Sequence, residues 1–145
     1  MTKTYGGFLL SRIQHLSGRV FEKLLKDSGV DIFNGAQGRI LYVLWEHGQL
    51  TITEIGRLTS LAKTTLTSML DRMEAAGLIE RMPDKSNRRQ TLISVTEKTK
   101  TYREKYDSVS DKMSEIFYDG FTDDEITAFE NQLRRIIENL EKEGA

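Results

Sequence analysis

Apolar residues recur at intervals of three and four along most of the chain, and at intervals of two only around residues 78–95. The first pattern predicts helices with one buried stripe, the second a pair of half-buried strands. Phe8, Leu9, Ile13, Leu16, Val20, Phe21, Leu24 and Leu25 place a long first helix over roughly residues 5–27, stopped near Gly29. Asn34-Gly35 reads as a turn, after which Ile40, Leu41, Val43, Leu44 and Trp45 make a strongly apolar second helix ending at Gly48. Thr51-Ile52-Thr53-Glu54 matches a capping box and starts a short third helix, to about Leu58. Ser60-Leu61-Ala62 is a short connection into a fourth helix, Lys63 to Ala76, with Leu66, Met69, Leu70 and Met73 on one face. Its opposite face carries Lys63, Thr64, Thr67, Ser68 and Arg72, and Gly77 supplies the stop.

Two short strand-like runs follow, Leu78 to Met82 and Thr91 to Val95, separated by the turn-forming Pro83-Asp84-Lys85-Ser86-Asn87. They predict a hairpin. Beyond it, a fifth helix capped at Thr96 carries Tyr102, Tyr106, Val109, Met113, Ile116 and Phe117. A sixth begins at the capping box Thr122-Asp123-Asp124-Glu125 and carries Ile126, Phe129, Leu133, Ile136, Ile137 and Leu140. These stripes hold more apolar surface than a small three-helix core needs, which points to burial against a second chain. The alternative is a bundle of the first, fifth and sixth helices within one chain. Either way the fold class is mainly α with one small β-hairpin.

Composition narrows the chemistry. With 145 residues, 38% hydrophobic and 30% charged, the chain is the size of one domain, and no apolar run is long enough to span a bilayer. The first 25 residues lack the pattern of a signal peptide, so a cytoplasmic protein is expected, without membrane association. The absence of cysteine excludes disulfides, Cys-ligated metals and thiol-based redox sensing, and His15 and His47 share no short motif. No cofactor is expected. There is no glycine-rich phosphate loop and no Ser/His/Asp spacing above chance, so an enzyme is not expected either. Asp123-Asp124 reads as charge favoured at a helix start.

The formal net charge of -1 conceals an uneven distribution. Residues 1–50 carry 6 Lys/Arg against 4 Asp/Glu, residues 51–96 carry 7 against 5, and residues 97–145 carry 8 against 13. Arg81, Lys85, Arg88 and Arg89 cluster on the hairpin with Asp84 as their one acidic neighbour. Such a spot is either a solvated loop or a phosphate-contacting surface. Its context favours the second reading, because two helices joined by a tight turn can set the second of them in a DNA major groove. The groove-facing half would be Lys63-Thr64-Thr65-Leu66-Thr67-Ser68. Small hydroxyl side chains approach closely and both donate and accept hydrogen bonds, and Lys63 adds a phosphate partner. Three threonines in four positions are otherwise hard to account for in a helix. Arg88 or Arg89 at the hairpin tip would enter a minor groove or contact phosphate. Asp84 is placed to pair with one of these arginines. Arg72 is placed to pair with Asp71 or Glu74, or to reach phosphate.

Over essentially its whole length the chain resembles the MarR family of winged helix-turn-helix transcription regulators. The resemblance is carried by Leu61 to Glu74, similar to the family's recognition helix, and by the wing. In the wing, Leu78-Ile79-Glu80-Arg81, Pro83 to Arg89 and Leu92-Ile93-Ser94-Val95-Thr96 resemble a signature in which Asp-x-Arg precedes a strand ending in Leu-Thr. Asn87 stands at the aspartate position, Val95 at the leucine position, and Arg89 aligns with the groove-reading arginine. The resemblance implies a DNA-binding region over 34–96 and dimerisation helices over 1–33 and 97–145. It also implies a homodimer on a pseudo-palindromic double-stranded operator, contacted through Lys63, Thr64, Thr65, Thr67, Ser68, Arg72, Lys85, Arg88 and Arg89. Two-fold protein symmetry and a two-fold site agree with each other.

Members of the family commonly repress transcription until a small aromatic or phenolic compound changes the spacing of their DNA-binding lobes. Such a ligand must bind one spacing better than the other. Phe8, Arg12, His15, Phe33 and Tyr42 are the candidate lining of a cleft for it, with the competing reading that Phe8, Phe33 and Tyr42 are core and His15 is structural. Methionines 69 and 73 read as core fillers. The rival to DNA binding is a winged helix used as a protein-interaction module.

Overall fold

The computed structural model describes residues 2–144 and contains seven helices and three strands among them. Helices α1 (Gly6–Asp27), α2 (Gly35–His47), α3 (Ile52–Thr59) and α4 (Lys63–Ala75) precede the hairpin of β2 (Ile79–Pro83) and β3 (Thr91–Val95). A two-residue strand, β1 (Leu50–Thr51), enters between α2 and α3, and α5 (Glu97–Lys100), α6 (Arg103–Phe117) and α7 (Asp123–Glu141) follow. The mainly helical fold with a small hairpin is as expected, and the sheet gains a third strand. Its order is β1-β3-β2, all antiparallel, with Leu50 opposite Ile93 and Ile79 opposite Val95. Pro83 lies in β2, where the missing N–H costs no ladder bond because β2 is an edge strand.

The helix starts follow local chemistry. Asn34, read from the sequence as a turn, is the cap of α2: its Oδ1 accepts from the Gln37 N–H at 2.8 Å, and its own N–H donates to Gln37 Oε1 at 3.1 Å. Thr51 and Thr122 close the two predicted capping boxes with Glu54 and Glu125. Thr96 has cap backbone geometry, but its hydroxyl donates across the chain to the Gly77 carbonyl at 2.7 Å, leaving α5 without a side-chain cap. The predicted fifth helix is broken at Thr101-Tyr102 into α5 and α6. Thr99 and Thr101 hydroxyls donate to the carbonyls three residues back, Thr96 and Lys98, so side chains compete with the helical ladder there. Gly77, at φ +75, ends α4, and the Leu78 N–H donates to the Met73 carbonyl at 2.9 Å.

The core forms around α2. Ile40, Leu41 and Leu44 are buried in one cluster with Ile55 of α3, Leu66, Leu70 and Met73 of α4, and Ile79 and Ile93 of the sheet. On its other side α2 meets an aromatic cluster in which Tyr106 of α6 touches Phe21, Phe33, Tyr42 and Trp45, with ring centroids 5.6 to 6.2 Å apart. Helices α1 and α6 pack on each other and reach the rest of the molecule chiefly through α2. Helix α7 has no buried residue; at its start Tyr118 contacts the Phe129 ring and donates its hydroxyl to Glu130 at 2.7 Å. No helix among the described residues is long and apolar enough to cross a membrane.

Close approach of α6 to α2 depends on Gly38, where an added Cβ would lie 2.7 Å from Tyr106 Cε2 and 3.2 Å from Phe33 Cε1. Gly38→Ala is expected to lower stability by about 1 kcal/mol net, as overpacking of roughly 1–3 kcal/mol outweighs the helix-propensity gain. Urea titration at fixed protein concentration checks this, and a variant as stable as the parent would show that the ring yields freely.

Candidate nucleic-acid interface

Helices α3 and α4 are joined by Ser60-Leu61-Ala62, with Ser60 in the left-handed region at φ 58. The tight connection is pinned by Thr59, whose hydroxyl donates to the Ile55 carbonyl at 2.7 Å and accepts from the Leu61 N–H at 3.4 Å. Leu66, Leu70 and Met73 then anchor α4 to the core. That anchoring turns Lys63, Thr64, Thr65, Thr67, Ser68 and Arg72 outward, and all six are exposed. No side chain caps the first turn of α4, so its backbone N–H groups and the positive end of its dipole are open beside Lys63.

Antiparallel pairing carries β2 and β3 to a seven-residue tip, residues 84–90, and Lys85, Arg88 and Arg89 are exposed on it. The tip is ordered by its own hydrogen bonds. Asp84 Oδ1 accepts from the Ser86 N–H at 2.9 Å and from the Ser86 hydroxyl at 2.7 Å, and these bonds, the hydroxyl's above all, hold its carboxyl below the ordinary value. Asp84 is therefore engaged with Ser86 rather than paired with an arginine. Asn87 Oδ1 accepts from the Arg89 N–H at 3.1 Å. An aspartate here would accept the same bond, so asparagine keeps the turn and removes a negative charge next to Arg88 and Arg89. Among the described residues neither arginine has an ion-pair partner, and nor do Lys63, Arg72 and Lys85.

Arg81 behaves differently from the rest of the basic cluster. Its guanidinium lies 2.9 Å from Asp71 and 3.3 Å from Glu74, tying β2 to α4. The carboxylates offered by the sequence to Arg72 are thus held by Arg81, and Arg72 donates to the Ser68 hydroxyl at 3.2 Å instead. The sequence contained the signal only as a basic residue shortly after the helix stop, because the pairing requires β2 to fold back along α4. Exposed pairs of this kind contribute little stability. Their effect here is on charge: the one guanidinium offsets half of the charge of the helix's two acids and turns both toward β2.

The five candidate effector residues are not brought together. Phe33 is in the core and Tyr42 is half-exposed against Tyr106, while Phe8, 73% exposed, and Arg12 stand on the outer surface of α1. The competing core reading therefore fits Phe33 alone of the three aromatics. His15 lines a groove of about 1190 Å³ between α1, α2 and α6, together with Arg19, Arg39, Tyr106, Met113 and Phe117. Burial raises the Tyr106 phenol above its ordinary value, against the opposing influence of Arg39. The two arginines facing this groove were not singled out from the sequence, because their convergence depends on how α1 crosses α2.

The MarR family profile matches residues 33–91 of the chain. The transcriptional regulator TtmR of Methylorubrum extorquens is 31% identical over 133 residues, covering 92% of this chain and 66% of TtmR. The transcriptional repressor IacR of Pseudomonas putida is 25% identical over 134 residues, covering 92% of this chain and 78% of IacR. Among solved structures, a mutant MarR of E. coli complexed with operator DNA superposes with a TM-score of 0.81 at 23% identity, over 93% of this chain and 99% of that one. Through residues 33–91, the segment that builds the winged helix-turn-helix, the chain belongs to the MarR family.

Proposed function

We propose that this protein is a sequence-specific, double-stranded DNA-binding transcriptional regulator that acts as a homodimer on a pseudo-palindromic site. The observation that carries the reading is the joint exposure of a hydroxyl-rich helix, whose acids are held by Arg81, and a wing tip whose arginines have no internal ion-pair partner. Thr64, Thr67 and Ser68 would meet base edges, Lys63, Arg72 and Lys85 phosphates, and Arg89 with Arg88 the minor groove. A MarR of the same fold was solved with operator DNA, and IacR is named a repressor, which supports repression as the mode of action.

The dimer rests on the placement of apolar surface. Apart from Tyr42 and Leu58, every exposed large hydrophobic side chain lies outside residues 34–96, from Tyr5, Phe8, Leu9 and Leu16 to Ile136, Ile137 and Leu140. Burying six such side chains per protomer, at roughly 1–2 kcal/mol each, is enough to offset the roughly 4–15 kcal/mol lost in association. Residues 1–33 and 97–145 are accordingly assigned to dimerisation and 34–96 to DNA. The groove beside His15, Arg19 and Arg39 is the proposed seat of a small aromatic or phenolic effector. Its apolar walls and cationic rim suit such a compound when it bears an acid group.

Selection of bound duplexes from a random pool is expected to yield an inverted repeat bound by two chains of 16.6 kDa each. A dimer that enriches no sequence at low salt, even after refolding free of ligand, would support a protein-interaction winged helix instead. Arg89→Ala is expected to weaken binding to the selected duplex by about 5- to 100-fold while dimer mass and folding are unchanged. Unaltered affinity at physiological salt removes the wing contact. For the dimer surface, Ile137→Asp is expected to shift sedimentation from twice the 16.6 kDa chain mass toward the single chain; an undisturbed dimer would place the interface elsewhere.

A further inference from the structure

Helix α2 is gripped at both ends by side chains from the helices that flank it. At its start, the Gly35 N–H donates to Glu22 Oε1 of α1 at 2.5 Å, and an added Cβ at Gly35 would lie 2.7 Å from that oxygen. At its end, Arg103 Nη1 of α6 donates to the Trp45 carbonyl at 3.0 Å while Nη2 bonds Glu46 at 2.8 Å. The signs suit the helix dipole, with a carboxylate at the N-terminus and a guanidinium at the C-terminus. At the start the tie is not demanded by local capping, since Asn34 already closes its own box with Gln37, whereas at the end Arg103 takes up a carbonyl of the last turn. Both are cross-helix contacts. The remaining contacts of α1 and α6 around Tyr106 are apolar, and such ring contacts tolerate sliding and tilting better than directional hydrogen bonds do.

This placement has a geometric consequence. The face of α2 away from α1 and α6 carries α3 and the sheet, so α2 is the element through which that unit is held on α1 and α6. Any tilt of that unit against α1 and α6, pivoting at one end of α2, displaces the other end and stretches the tie there. We propose that Glu22 and Arg103 are positioning residues that fix the angle between α2 and the helices α1 and α6, and thereby set the half-site spacing the dimer accepts. The sensitivity is large, because a rotation of about 10° on a lever of about 20 Å, the length of α2, displaces its far end by roughly 3.5 Å, one base-pair step. The proposal rests on the dimeric, DNA-binding reading given above.

The chain has no cysteine, so Glu80→Cys on the exposed edge of β2 provides a single spin-label site per protomer. Label-to-label distances in the dimer are compared for the parent, Glu22→Ala with Arg103→Ala, Glu22→Gln, which keeps the acceptor, and Arg103→Lys. In parallel, unlabelled proteins are titrated with the selected operator and with copies whose half-sites are moved apart or together by one base pair. The double variant is expected to broaden the distance distribution by several ångströms. It should also reduce the preference for native spacing from tenfold or more to less than threefold, with Glu22→Gln recovering most of it. A purely structural role would lower the melting temperature and the affinity for all spacings equally, leaving the preference ratio and the distance width as in the parent. That outcome overturns the proposal; should the double variant not fold, the single variants Glu22→Ala and Arg103→Ala are read instead, and a preference ratio unchanged from the parent in both overturns it. A parent protein that neither dimerises nor binds the operator overturns the underlying reading, and this one with it.

Discussion

The structure depends on the burial of α2 on two opposite faces. Ile40, Leu41, Val43, Leu44 and Trp45 are buried and leave only a narrow exposed strip through Arg39, Tyr42 and Glu46, so the helix is stable only when other elements cover the rest of it. Helix α3, α4 and the sheet cover one side, α1 and α6 the other. The position of everything else follows. Because Leu66, Leu70 and Met73 are committed to covering α2 and its neighbours, the Thr/Ser face of α4 has only solvent or a ligand to meet. Because Gly38 has no side chain, Tyr106 can sit against α2 and draw α6 into the same core.

What could be read from the sequence was what is encoded within one or two helical turns. The Thr51 and Thr122 capping boxes are patterns of four residues, and the helices they start are where the sequence put them. The exposed face of α4 was legible for the same reason, as the complement of an apolar stripe. Asn34-Gly35 was ambiguous at this range, since Asn-Gly is also a turn signal, and only Gln37 three residues later distinguishes a cap. Strand β1 was invisible, because two residues become a strand only by pairing with Leu92 and Ile93, some forty positions away. The break between α5 and α6 was local but weak, hidden in the side chains of Thr99 and Thr101. Of the site, the exposure of the basic and hydroxyl residues was legible. The partners that decide their charge, Arg81 with Asp71 and Glu74 foremost, and the arginines of the groove were not, because they come from different elements.

Net charge is a poor guide to the chemistry of this chain for the same reason. A total of -1 averages an acidic C-terminal third with a basic wing, and these lie on separate parts of the molecule. Electrostatic attraction to a polyanion acts over about a Debye length, roughly 8 Å at physiological salt, so the local arrangement matters more than the sum. On α4 the acids are Asp71 and Glu74, both bonded to the single guanidinium of Arg81, which offsets one of the two charges. At the wing tip Asp84 is bonded to Ser86, and the asparagine at position 87 removes the charge that an aspartate would add there. The surface is cationic in effect although the segment that builds it is nearly neutral in composition.

The two halves of the molecule also differ in what holds them. The unit built from α2, α3, α4 and the sheet encloses most of the fully buried side chains, whereas α7 encloses none and the outer stretch of α1 leaves Phe8, Leu9 and Leu16 in solvent. Apolar burial is nondirectional, so a second copy covering α1 and α7 would stabilise them without fixing their angle to the first unit. That angle is left to directional contacts, of which few cross between the halves. A tightly packed unit joined to a sparsely packed one is thus suited to change orientation without unfolding. Small free energies at the junction, of the order of one or two hydrogen bonds, suffice to bias it.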